Sequence, residues 1–281
     1  MADNGSSIIL IHGVGGDAVR TWTHEETGTF WPTELLAEEL PRCGVMSYSY
    51  RPTRDDFFPK TAEPSEDRTM ERIDKHTSDL HYSLLDRAYV RLPPSVLPPF
   101  GEEETADRRT QTSRPFILVG HCLGGLVCLR YYFEYARVRG SCRGILLLAT
   151  PLAPAEDASF WTKMVSSLGR AFKPILTPSS GIAIIRAAIM DCERELLAHN
   201  YGTPLVALFA EKQTDNCLVP RQYAGVGQAL VTTLDEDHAS LCTFADRYDS
   251  GWVAVQETLQ QWCRPLERDR FRTPNVRGMG R

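Results

Sequence analysis

The chain has 281 residues, 42% hydrophobic and 24% charged, with a formal net charge of −5. It is long enough for one large α/β domain with a sizeable core, and it lacks the basic balance that nucleic acid or an anionic membrane surface would need in a partner. No run approaches the roughly 18 apolar residues of a spanning helix.

The N-terminus, MADNGSSIILIHG, has no basic segment followed by a long apolar run, so no signal peptide is expected. The eight cysteines are scattered, without a CxxC pair. Together these predict reduced thiols and a cytoplasmic protein. No spacing of cysteines and histidines suits zinc, and neither a metal nor an organic cofactor is expected.

Short aliphatic and β-branched runs, bounded by Gly, Pro or polar residues, recur along the chain. Ser7–Ile11, Gly44–Tyr48, Phe116–Val119, Gly144–Ala149, Leu205–Ala210 and Ala229–Thr233 are predicted strands buried on both faces. Between them, apolar residues fall at three- and four-residue spacing over Pro32–Leu40, Thr69–Leu92, Leu123–Val138, Ile182–Asn200 and Ser250–Cys263, which predicts helices. Alternation of the two predicts an α/β fold: one domain over residues 1–263, with a mostly parallel sheet of about six strands flanked by helices.

Two segments interrupt that rhythm. Residues 93–114, rich in Pro, Glu, Arg and Thr, are expected to form a mobile loop. Residues 151–204 are long enough to insert a helical cap between two strands, core packing of the same helices being the alternative. Residues 264–281 are Arg-rich and expected to be a flexible tail.

The chemistry concentrates in three turns. Directly after the run FILV comes Gly120-His121-Cys122-Leu123-Gly124. The pattern G-x-nucleophile-x-G holds its central residue at a sharp strand-to-helix turn, with glycines where side chains would collide. The N-terminus of the following helix favours a thiolate over a thiol. Cys122 is therefore the candidate nucleophile. His121 is expected to point away from the cleft.

The second turn, His12-Gly13-Val14-Gly15-Gly16, follows the first strand. A phosphate-binding reading fails, because no Walker lysine follows and the glycines are not spaced as G-x-G-x-x-G. An HG loop in this place donates a main-chain N–H to an oxyanion hole, and the residue after the nucleophile donates the other. The candidate donors are Val14 and Leu123.

The third turn carries His238, the only histidine placed just beyond the last predicted strand. Chain order then puts the triad acid between LVALFA and His238. Asp215, in EKQTDNCLVP, is the first choice. Glu211 at the strand end and Asn216 are alternatives, since an amide can also orient an imidazole. Trp22 and Trp161 are candidate linings of an apolar substrate pocket, with core packing equally open.

These motifs together resemble the lipase-like serine esterases of the α/β-hydrolase superfamily, in particular the serine-active-site-containing type that also heads fungal multidomain proteins. The likeness runs from Ile8 to about Arg247 through HGVGGDAVRTWT, VMSYSYRP, FILVGHCLGGLV, GILLLATP and LDEDHASLCTF. Gly120, Gly124, His238, Cys242 and Phe244 match the family's pattern. Two positions depart from it: Cys122 stands where the family writes its nucleophilic serine, and LAPA follows Ala149-Thr150-Pro151 in place of His-Arg-Gly.

The resemblance implies an α/β-hydrolase fold and an acyl substrate. With the residues above it points to a Cys-His-Asp hydrolase of an ester, lactone or thioester, working through an acyl-thioester on a small apolar substrate. Acyl transfer or cyclisation from the same intermediate is the alternative reaction. A catalytically inactive binding domain is the alternative of another class.

Overall fold

The computed structural model describes residues 6–52, 73–84, 115–135, 139–152, 160, 163–164, 179–198, 205–214, 217–226 and 230–263. The expected loop at 93–114, the tail at 264–281 and most of the candidate cap lie outside these residues.

Six strands form one sheet: β1 (Ser7–Ile11), β2 (Gly44–Tyr48), β3 (Phe116–His121), β4 (Cys142–Leu148), β5 (Leu205–Ala210) and β6 (Val231–Thr233). Their order is β2-β1-β3-β4-β5-β6, and every pairing is parallel. β1 and β3 are interior strands and are buried almost throughout, which is why they read as continuous aliphatic runs rather than as alternating ones. The differences from the sequence-based strands are at the ends: β3 runs on through Gly120 and His121, and β4 begins at Cys142.

Helices cover both faces. They are α1 (Leu35–Glu39), α2 (73–84), α3 (Gly124–Glu134), α4 (Ser179–Ala198), α5 (Arg221–Ala224) and α6 (Ser250–Cys263). α3 packs on β3 so closely that a Cβ added at Gly120 would lie 2.6 Å from the Gly125 Cα. α6 lies on the opposite face. A Cβ at Gly144 would meet the Trp262 ring at 2.3 Å, and Gly144 pairs with Ile117, whose side chain points away from that of residue 120.

α2 joins α3 through Arg130, whose Nε and Nη2 donate to Asp74 at 3.0 and 2.7 Å. α6 buries Trp252, Val255, Leu259 and Trp262, spaced three and four apart as its amphipathic stripe requires. Trp252 packs against Trp31, with ring centroids 5.5 Å apart. In the region of the candidate cap, α4 buries Ala188, Ile189 and Cys192 and packs against α3. No helix among the described residues is long and apolar enough to cross a membrane.

This topology places the site. The connection leaving β1 leads to its neighbour on one side, whereas that leaving β3 leads to the other. In open α/β sheets, a reversal of this kind marks the carboxyl ends of the two strands, here β1 and β3, as the place where ligands bind.

Candidate active site

Cys122 stands at that end of the sheet, directly after β3. Its φ is +53°, a backbone region that L-residues visit rarely and at a cost of about 1–3 kcal/mol. The surroundings hold it there. Cys122 N–H donates to the Leu148 carbonyl at 2.9 Å, and Gly125 N–H donates to the Cys122 carbonyl at 3.1 Å. A Cβ at Gly124 would fall 2.4 Å from the Ile11 and His12 carbonyl oxygens, so the turn has no room for a side chain there. These contacts are the physical content of the G-x-C-x-G spacing. Only 1% of Cys122 is exposed.

The HG loop packs directly against Cys122. A Cβ at Gly13 would lie 2.7 Å from the Cys122 Cβ and 3.4 Å from its sulfur. His12 is buried, and burial keeps its pKa below the ordinary value, so its ring is neutral at pH 7. The neutral ring donates from Nδ1 to the Gly13 carbonyl at 2.9 Å, while the Tyr50 hydroxyl donates to the His12 carbonyl at 2.6 Å. The loop is thus fixed from behind. Among the described residues, neither the Val14 nor the Leu123 N–H enters a hydrogen bond.

His238 reaches the site from the loop after β6. Its Nδ1 lies 2.7 Å from Oε1 of Glu211, the first residue beyond β5, and that carboxylate is wholly buried. Glu211 also accepts the Leu218 N–H on Oε2 at 2.8 Å and the Val219 N–H on Oε1 at 2.7 Å. Burial by itself would raise the Glu211 pKa; the hydrogen bond and charge of His238, with the two amides, hold it below the usual carboxylate range.

The other ring nitrogen, Nε2, is buried and makes no hydrogen bond among the described residues. Burial would depress the His238 pKa, but the facing Cys122 sulfur, followed by Glu211, pushes it up to about 10.

Two further devices hold His238. Asp237 Oδ1 accepts the Ala239 and Ser240 N–H groups, each at 2.9 Å, and so builds the turn that carries the imidazole. His121 Nε2 donates to the His238 main-chain carbonyl at 2.9 Å, and the two rings stand 4.9 Å apart. Burial, then the charge on His238, drives the His121 pKa down to about 3, so this second imidazole is neutral.

Of the residues nominated from sequence, the fold brings together Cys122, His238, Val14, Leu123 and Glu211. The partner on Nδ1 is Glu211, the second choice; Asp215 and Asn216 lie outside the described residues. The Val219 main-chain amide, in the loop that carries Asp215 and Asn216, is donated to Glu211. Trp22 is wholly buried, edge-on to Trp31 at 6.0 Å in a cluster with Phe244 and Trp252. That is core packing, not a pocket wall. Trp161 lies outside the described residues.

His121 does not turn away from the site as expected. β3 continues to residue 121, which sends the ring toward the His238 loop. The extra length of β3 was not legible because Gly120 reads as a strand terminator. No group of three or more His, Cys, Asp or Glu suited to a metal occurs among the described residues.

A search of curated proteins gives no match. Among solved structures, the chain is similar to a lipase-esterase related protein from Clostridium acetobutylicum, with 12% identity, 92% of this chain and 95% of that one covered, and a TM-score of 0.47. It is similar to a structure from a study of carboxylesterases of Nitrososphaera gargenis, with 12% identity, coverage of 92% and 90%, and a TM-score of 0.49. A third is the monoacylglycerol lipase of Paleococcus ferrophilus, with 14% identity, coverage of 92% and 95%, and a TM-score of 0.42. The model of the family described as "Alpha/beta hydrolase family" matches residues 8–278, almost the entire chain, and on that match the chain belongs to the alpha/beta hydrolase family.

Proposed function

We propose that this hydrolase cleaves esters, lactones or thioesters of apolar acyl groups through an acyl-thioester on Cys122. The observation that carries the reading is the pairing of a left-handed Cys122 at the β3–α3 turn with a His238–Glu211 hydrogen-bonded couple whose second ring nitrogen is kept for the sulfur.

The chemistry follows from the residues. His238 holds the thiol proton on Nε2, leaving Cys122 as the attacking thiolate, and Glu211 fixes the tautomer and the ring. The sulfur adds to the carbonyl carbon, and the C=O electron pair moves onto oxygen. The N–H groups of Val14 and Leu123 receive that oxyanion, each worth about 3 kcal/mol. Collapse of the adduct expels the alkoxide or thiolate, which takes the proton from His238. Water then loses a proton to His238 and adds to the thioester carbonyl; the adduct collapses with cleavage of the C–S bond, releasing the carboxylic acid and restoring the Cys122 thiolate beside protonated His238.

Intact-protein mass spectrometry after brief exposure to p-nitrophenyl esters of graded chain length tests the proposal, with Cys122→Ala alongside. A transient acyl adduct that maps to Cys122 and is missing from the variant is expected. If p-nitrophenol is released with the same rate by native protein and Cys122→Ala, the thiol is not the nucleophile. Loss of the adduct to added amines or alcohols in preference to water would make acyl transfer the reaction.

A further inference from the structure

All eight cysteines are reduced in the structure, and six of them are buried. The two that solvent reaches, Cys43 and Cys263, meet each other although 220 residues separate them in sequence. Their sulfurs lie 3.1 Å apart, well inside ordinary van der Waals separation. We propose that Cys43 and Cys263 form a reversible disulfide under oxidising conditions, a modification site on the α1–α6 side of the sheet and separate from the Cys122 site.

The two sulfurs are already close to bonding distance. A disulfide has its sulfurs about 2.05 Å apart, so closure requires a movement of about 1 Å. Neither end is free to drift away. Cys43 stands just before β2, and its N–H donates to the Leu40 carbonyl at 2.9 Å. Cys263 is the last residue of α6, whose Trp262 is packed on the sheet. One helical turn earlier, Gln260 Nε2 donates to Glu39 of α1 at 3.3 Å, so the two elements are already registered beside each other.

The bond has a structural consequence. α6 carries Trp252, which packs with Trp31 and Phe244. Trp31 Nε1 in turn donates to the Cys242 carbonyl at 2.9 Å, four residues beyond His238. A disulfide at Cys263 fastens the helix on which that frame rests, and it closes a loop of more than two hundred residues, where cross-linking constrains the unfolded chain most.

The oxidant is a hydroperoxide. One thiolate of the pair attacks the distal peroxide oxygen, forming a sulfenic acid and releasing water or an alcohol after proton uptake. The second thiolate attacks the sulfenic sulfur, the S–O bond breaks, and the hydroxide takes up a proton and leaves as water. The two sulfurs together lose two electrons, which reduce the O–O bond. A dithiol reductant reverses the step by thiol–disulfide exchange.

The test uses the full chain, treated with hydrogen peroxide, quenched with N-ethylmaleimide and digested without reduction. The expected result is one cross-linked peptide pair joining Cys43 to Cys263, lost after dithiothreitol. The melting temperature of the oxidised protein should rise by several degrees and fall back on reduction. Cys43→Ser and Cys263→Ser should each abolish both effects. Recovery of both residues as maleimide adducts, under conditions that oxidise Cys122, would overturn the proposal. So would a sulfinic acid at either position, or a bridge from either one to another cysteine. Because the native chain itself carries the decisive readout, a serine variant that folds poorly does not decide the outcome.

Discussion

Oε1 of Glu211 lies 2.7 Å from Nδ1 of His238, and the same buried carboxylate takes the amides of Leu218 and Val219. One side chain therefore both orients the imidazole and closes the loop after β5. Glu211→Gln should reduce turnover by about 10²-fold or more, through loss of ring orientation and of the charge that supports the imidazolium. It should also cost about 1–3 kcal/mol in a urea titration, because a neutral amide satisfies the buried N–H groups less well. Asp215→Asn should leave turnover within about threefold of the native enzyme. The opposite ranking of the two variants would return the acid's role to Asp215.

The charge state of the pair sets a pH dependence of stability. The His238 pKa is raised from an ordinary 6.5 to about 10, so the native state binds its proton more tightly than the unfolded chain does. That stabilisation is fully present below about pH 6.5 and is lost as pH rises through about 10. Glu211 has the opposite sign. Its pKa is lowered from 4.5, so its contribution is present above about pH 4.5 and is lost as pH falls below that. Urea midpoints against pH should show both limbs. Cys122→Ala should flatten the alkaline limb and Glu211→Gln the acid one; superimposable profiles for all three proteins would contradict the assignment.

Gly13 lies so close to Cys122 that an added methyl would sit 2.7 Å from the Cys122 Cβ. Neither atom is the end of a flexible chain, so the backbone must shift. Gly13→Ala should slow iodoacetamide labelling of Cys122 and lower ester turnover by at least about tenfold, with about 1–3 kcal/mol of overpacking cost. Labelling at the native rate would show that the HG loop yields without disturbing the thiol.

His121 touches the His238 backbone rather than the reacting atoms, which makes it a positioning residue. His121→Phe should lower kcat by about tenfold with little change in KM, and should displace the pH–rate profile as the His238 loop relaxes. His121→Gln retains a donor for the His238 carbonyl and should recover part of the loss. A uniform fall in expression or melting temperature with unchanged kcat and profile would reduce His121 to a packing residue.

Much of this protein was legible without coordinates. The aliphatic runs gave the strands; the expected burial on both faces holds for β1, β3 and β4, whereas at the sheet edges β2 is half-buried and β6 mostly exposed. The glycine spacing around Cys122 marked the elbow because close packing against Ile11, His12 and Gly125 excludes side chains there. Chain order placed His238 beyond the last strand. Three decisions belonged to the tertiary structure. Glu211 and His238 are 27 residues apart, and which carboxylate meets an imidazole depends on how the intervening loop folds back. His121 and Trp22 each had two faces to choose from, which local pattern does not rank; strand length turned one toward His238, and the Trp31 cluster buried the other. Cys43 and Cys263 came together because α1 and α6 share one side of the sheet, a long-range contact that carries no signature in either local segment.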